Sequence, residues 1–131
     1  MTALYLDSSA FVKIVIEEPE SDALHAFLAG EHGRYVSSAQ TRTEAMRAVR
    51  LQGPEALAAV REALRRIDLV AIDGRILTTA GLLDPGVLRS LDVIHLATAL
   101  ALGDDLGLVV TYDERMIRAS SLLGIPTATP A

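Results

Sequence analysis

Ala3-Leu4-Tyr5-Leu6-Asp7-Ser8-Ser9-Ala10 opens the chain and decides its fold, because an unbroken apolar run passes directly into an acid and two small hydroxyl residues. A short apolar run closed by a helix-starting signal reads as a buried strand feeding a helix. Similar punctuation recurs further on. Leu108-Val109-Val110-Thr111-Tyr112 runs into Asp113, Asp92 opens the apolar stretch Val93 to Leu100, and a fourth acid, Glu44, lies in the helix-like stretch from Ala39 to Gln52. In an open parallel sheet the strand ends and helix starts gather on one edge, so acids far apart in sequence are expected to meet in one crevice. Two carboxylates about 4 Å apart repel by roughly 4 kcal/mol at an effective dielectric near 20. A cluster of them therefore requires a divalent metal, bound protons or basic partners, and hard cations such as Mg²⁺ and Mn²⁺ prefer oxygen ligands.

Between these landmarks strands and helices alternate. The first strand, Ala3 to Leu6, leads into a helix near Ser9 to Ile16 that stops at Glu18-Pro19, since a residue before proline is pushed out of helical geometry. Ser21 or Asp22 is expected to cap a second helix bearing Leu24, Phe27 and Leu28, ended near Gly30. Tyr35-Val36 reads as a second strand, and Ser37 or Ser38 as the start of a helix through Arg50. Gly53-Pro54 breaks that helix before another from Glu55 to Arg66, so the two form a helical hairpin. Leu69 to Ile72 predicts a third strand, followed by a helix around Ile76 to Leu83 and a turn at Asp84-Pro85-Gly86. The next helix is expected from Ser90–Asp92 to Gly103, with Leu108 to Thr111 as the fourth strand. Asp113 then caps a last helix to Leu123, Gly124 stops it, and Pro126 to Thr129 adds a short edge strand. The alternation predicts a three-layer α/β/α sandwich with a central, mostly parallel sheet and right-handed crossovers.

The composition narrows the chemistry. At 131 residues, 50% of them hydrophobic and with a mean hydropathy of +0.33, residues 1–131 are expected to form a single domain with a buried sheet. No apolar run approaches the roughly 20 residues needed to cross a bilayer, and no basic segment precedes the first strand, so a cytoplasmic protein without membrane contact is expected. The absence of cysteine excludes disulfides, thiolate catalysis and cysteine-based zinc sites. His25, His32 and His95 have no metal-ligand spacing, so a metal here must be held mainly by oxygen. The net charge of −5, from 17 acidic and 12 basic residues, argues against a nucleic-acid-coating protein. The basic residues are unevenly spread, however. Arg42, Arg47, Arg50, Arg61, Arg65 and Arg66 cluster in the helical hairpin, where they form either a solvated helix face or a patch that meets phosphate.

Each acid also has a purely structural reading. Asp7, Asp92 and Asp113 stand where helices need N-caps, and Glu44 lies one turn before Arg47. A cap, however, is indifferent to the choice among Ser, Thr, Asn and Asp, and aspartate occupies each of the three positions the fold brings to one edge. Ser8 and Ser9 suit capping or hydrogen bonding to a carboxylate. Thr111, two positions before Asp113 on an extended segment, points to the same side as that acid and is expected to support a ligand. His95 shares a helix face with Asp92, but a histidine in so apolar a helix reads better as a packed residue bonded to backbone or to a polar neighbour than as a general base.

The pieces Tyr5-Leu6-Asp7-Ser8-Ser9-Ala10, Glu44, Arg89 to Ala99 with its Leu91-Asp92-Val93-Ile94-His95, and Thr111-Tyr112-Asp113-Glu114-Arg115 resemble, in order and spacing, the PIN-domain family. Within it the short chain resembles the VapC-like toxins of type II toxin-antitoxin pairs. The resemblance implies a Mg²⁺- or Mn²⁺-dependent endoribonuclease whose metal-binding acids fall on Asp7, Glu44, Asp92 and Asp113, with Ser8 and Thr111 as supporting polar groups. It also implies a homodimer, an RNA substrate and a small antitoxin whose C-terminal segment wraps over the helices and pushes a basic side chain into the acidic pocket.

Metal-activated water acting on an RNA phosphodiester is the reaction expected of such a site, with products carrying a 5′-phosphate and a 3′-hydroxyl. A PIN-type housekeeping nuclease would use the same chemistry. A phosphoacceptor regulatory domain shares the acidic sheet edge but normally needs a lysine late in the chain, and the only lysine here is Lys13. A haloacid-dehalogenase-like phosphatase needs a second aspartate two residues after the first, where this chain has Ser9. A non-catalytic docking module would bind neither metal nor RNA.

Overall fold

The computed structural model describes residues 2–83 and 88–131. The expected turn at Asp84-Pro85-Gly86 lies outside the described residues. Strand β1 (Ala3–Leu6) leads into α1 (Ser8–Val15) and α2 (Ser21–Gly30), then β2 (Arg34–Ser38) and the helical hairpin α3 (Gln40–Val49) and α4 (Pro54–Leu64). After β3 (Asp68–Val70) come α5 (Gly74–Leu82) and α6 (Ser90–Leu100), then β4 (Leu106–Val110), α7 (Glu114–Leu122) and β5 (Thr127–Ala128). The five strands form one sheet in the order β3-β2-β1-β4-β5, and each neighbouring pair is parallel. The expected three-layer α/β architecture is therefore the one observed.

The period of two along β1 builds the layers. Ala3 and Tyr5 pack with Leu96, Ala99, Met116 and Ala119 from α6 and α7, whereas Leu4 and Leu6 pack with Ala10, Leu24 and Leu28 from α1 and α2. A third cluster ties Phe11 of α1 to Ala45 and Val49 of α3 and to Val60 and Leu64 of α4, so the hairpin is seated on α1. Because β1 is buried on both faces, every one of its four residues is buried.

Several boundaries differ from the sequence expectation. Ser37 and Ser38 belong to β2 and do not start the following helix. Ser37 Oγ donates to the carbonyl oxygen of Leu6 at 2.5 Å and bonds Thr41 Oγ1 at 2.7 Å, which lets a buried serine continue the strand. Nor does Ser21 cap α2. Its hydroxyl turns back to α1, lying 2.7 Å from the carbonyl oxygen of Lys13, and accepts from the Glu18 amide. The third strand begins and ends earlier than Leu69–Ile72, and α5 starts at Gly74 because Asp73 accepts from the Ile76 amide as its N-cap.

One irregularity sits at the amino-terminal start of the two central strands. Ala3 pairs with Leu106 but Leu4 with Leu108, so Gly107 is the extra residue of a bulge in β4. A Cβ there would lie 2.1 Å from the Thr2 Cγ2 methyl, so any larger residue would force the exposed Thr2 side chain to turn aside.

Candidate metal centre at the sheet edge

Strands β1, β2 and β3 are laid down in one direction and β4 and β5 in the other, so the connections diverge between β1 and β4. Ligands of open α/β sheets bind outside the carboxyl ends of the strands at this divide. Asp7 is the first residue after β1 and Thr111 the first after β4. They touch. Thr111 Oγ1 donates to Asp7 Oδ2 at 2.5 Å and accepts from the Asp113 amide at 3.1 Å, so one hydroxyl links the acids that follow the two central strands.

Asp7 is the N-cap of α1, and its Oδ1 accepts from the Ala10 amide at 3.1 Å and from Ser9 Oγ at 2.6 Å. Ser9 Oγ in turn accepts from the Tyr112 amide at 2.9 Å, which ties the start of α1 to the loop after β4. Asp113 caps α7, its Oδ1 accepting from the Arg115 and Met116 amides. The capping reading and the site reading of these aspartates are thus compatible: in each, one oxygen is anchored to the helix start.

Glu44 and Asp92 are carried by helices α3 and α6. Glu44 on α3 is held by His95 on α6, with Oε1 to Nε2 at 2.8 Å, and His95 Nδ1 lies 2.7 Å from the Tyr5 hydroxyl. An ionised carboxylate can only accept, so Nε2–H donates to Glu44 Oε1. Burial, reinforced by the Asp7 and Glu44 carboxylates, holds the Tyr5 hydroxyl well above its usual 10.0, which keeps it a donor. Asp92 lies in the first turn of α6, its Oδ2 accepting from the Arg89 amide at 3.4 Å.

Asp7 is the electrostatic centre of this edge. It is only 3% exposed, and burial pushes its carboxyl above the ordinary 3.8 despite hydrogen bonds from Ser9 and Thr111, the nearby His95 and the Ala10 amide. Among the described residues no arginine or lysine forms an ion pair with Asp7, Glu44 or Asp92; Arg115 Nε stands 3.9 Å from Asp113 Oδ1. A buried carboxylate without a full countercharge fits a cation. The donor set fits too, because Glu44 Oε2, Asp92 Oδ1 and Asp113 Oδ2 accept no hydrogen bond from described residues, and Asp7 Oδ2 accepts one. Among the described residues, however, no three carboxylate or imidazole side chains already form a ready-made metal cluster.

Beside Glu44 lies an open cleft of about 530 Å³ whose lining also includes Ser8, Ser9, Lys13 and Tyr112. Lys13 is engaged, bonding Glu20 at 2.8 Å and Glu18 at 3.5 Å and lying 4.9 Å from the centre of the Tyr112 ring. Of the supporting residues expected from sequence, Thr111 bonds Asp7, whereas Ser8 lines the cleft and Ser9 makes the bond to the acid. His95 is packed as expected, but its partners are side chains, and one of them is Glu44.

The PIN domain family model matches residues 4–122, and the chain belongs to the PIN-domain family. Its relatives include Ribonuclease VapC46 of Mycobacterium tuberculosis, 52% identical over 131 residues and matched over the whole of both chains. Ribonuclease VapC35 of the same species is 42% identical over 130 residues, covering 97% of this chain and 96% of its own. Among solved structures, the M. tuberculosis toxin VapC20, described as cleaving the sarcin-ricin loop, superposes with a TM-score of 0.77 at 15% identity over 97% of this chain and 99% of its own. The VapBC-1 structure from nontypeable Haemophilus influenzae gives a TM-score of 0.69 at 11% identity, covering 97% of each chain. At those identities the structures establish the fold. The resemblance read from the motifs is borne out by the family match and by the full-length relatives.

Proposed function

We propose that this chain is a divalent-metal-dependent endoribonuclease acting as the toxin of a toxin-antitoxin pair, with Asp7, Glu44, Asp92 and Asp113 as the acids that hold Mg²⁺ or Mn²⁺. The observation that carries the reading is the buried Asp7 carboxylate, bound through Thr111 to the segment bearing Asp113 and lacking a basic partner among the described residues. The full-length VapC ribonuclease relatives support the reaction class. The partners of this reading are an RNA substrate, a second copy of the chain and a small antitoxin.

A divalent cation held there supplies Lewis acidity and a more acidic bound water. The chain's own residues do the rest. Thr111 and Ser9 fix the orientation of Asp7, the amides at the start of α7 fix Asp113, and His95 turns Glu44 toward the edge. Glu44 and Asp92, each held by one hydrogen bond among the described residues, supply the remaining carboxylates. The open cleft beside Glu44 receives the polynucleotide.

Mapping of cut ends in total RNA tests the reading. Cleavage that requires Mg²⁺ or Mn²⁺, stops in EDTA and leaves 5′-phosphates and 3′-hydroxyls is expected. Retained cleavage in a folded Asp92→Asn protein, or 2′,3′-cyclic phosphate ends, would contradict it.

A further inference from the structure

Six arginines face only three glutamates between Arg42 and Arg66, in a chain whose net charge is −5. The structure gathers half of those arginines. Arg42 from α3 and Arg61 and Arg65 from α4 line a groove of about 300 Å³ whose remaining lining is Met46 and Leu64. No acid lines it. The three arginines are exposed, and Arg42 and Arg61 have no ion-pair partner among the described residues. Arg65 reaches Glu62 at 3.1 Å, but that pair is exposed and i,i+3, a type of contact that contributes little and exchanges readily.

We infer that this groove binds the phosphodiester backbone of single-stranded RNA, as a positioning site separate from the acidic edge; the inference rests on the ribonuclease reading above. Arg61 and Arg65 stand one helical turn apart and side by side, so they present two guanidiniums to successive phosphates. Arg42 adds a third from across the groove. Connection to the acidic edge runs through α3. Arg42 and Glu44 are two residues apart, roughly half a helical turn, so a strand draped over α3 meets Glu44 on one flank and Arg42 on the other. With no aromatic side chain in the lining, the groove offers bases no stacking platform, so the contact is to backbone and indifferent to sequence.

The test is binding of a labelled single-stranded RNA of mixed sequence to the full chain in EDTA, across a salt series, followed by fluorescence anisotropy. Each phosphate contact removed lowers the slope of log K against log salt by about 0.7 for a single strand. The Arg42→Gln, Arg61→Gln, Arg65→Gln triple variant is expected to lower it by about 2. Arg118→Gln, on the exposed face of α7, is expected to leave it unchanged, which separates the groove from net charge. Glu62→Gln releases Arg65 and is expected to tighten binding, a change that loss of structure would not produce. An unchanged slope in the triple variant, an equal fall in Arg118→Gln, or a parent that does not bind the probe at low salt overturns the inference. Weaker binding of poly-glutamate with RNA binding intact also overturns it, assigning the groove to an acidic protein segment. Metal-dependent cleavage of total RNA by the parent, measured alongside, distinguishes failure of the groove from failure of the ribonuclease reading: a cleaving parent with an unaffected triple variant loses only the groove.

Discussion

The acids of the proposed site are built into the fold in two ways. Asp7 and Asp113 follow the central strands and are fixed by a shared hydroxyl, by Ser9 and by the amides of the helices they cap. Glu44 and Asp92 ride on helices, each anchored by a single hydrogen bond among the described residues, one of them 3.4 Å long. The contrast teaches where order resides before any ligand binds. The strand half is preorganised, at the expense of burying a carboxylate, while the helix half keeps the freedom to close on a charge.

The largest effect should come from breaking the rigid half. Asp7→Asn is expected to lower cleavage by more than about 100-fold, beyond what loss of an outer support produces, while stabilising the metal-free fold at neutral pH. The sign follows from burial. The folded state holds the Asp7 carboxyl above its ordinary 3.8, so it binds a proton more readily than the unfolded chain. That stability is present in acid and is lost as pH rises through the folded value, and an uncharged asparagine does not suffer the loss. Thermal unfolding of parent and variant in EDTA at neutral pH and near pH 4 would show it: the variant's advantage should shrink in acid.

Removing the link within the rigid half should come next. Thr111→Val keeps the shape of the side chain but leaves Asp7 Oδ2 without its donor and the Asp113 amide without its acceptor. Destabilisation of about 1–3 kcal/mol is expected by denaturant unfolding, with metal affinity weaker by about 10–100-fold. His95→Phe probes the adjustable half. Glu44 remains half-buried and able to find water, so the loss in metal affinity should lie near the lower end, about 10-fold, measurable by calorimetric titration. The smallest change to the fold is expected at Asp92, whose long bond to the Arg89 amide an asparagine can replace. Asp92→Asn should stay within about 0.5 kcal/mol of the parent in unfolding.

The same contrast explains what was legible in the sequence. Asp7 and Asp113 could be read because strand, acid and helix start are contiguous, so local punctuation placed both at the sheet edge. The Gly53-Pro54 break and the Asp113 cap were visible for the same reason. Ser37 and Ser38 misled because their hydroxyls suit a helix start: Ser38 Oγ does accept from the Gln40 amide at the start of α3, yet its backbone stays in β2, and Ser37 is held there by its bond to the Leu6 carbonyl, 31 positions away. The hold of His95 on Glu44 spans 51 positions and depends on how α6 packs against α3, which no local pattern encodes. The choice of Ser9 over Ser8 as partner of Asp7 is a matter of side-chain direction in the first turn of α1, beyond what residue type alone specifies.

The central claim is that four remote acids share one divalent ion. Mn²⁺ binding, followed by the electron paramagnetic resonance of the free ion in the parent and in Asp7→Asn, Glu44→Gln, Asp92→Asn and Asp113→Asn, tests it most directly. Weaker Mn²⁺ affinity in all four folded variants is the expected result; parent-like affinity in the Glu44 and Asp92 variants would show that the helices do not contribute and would contradict the account.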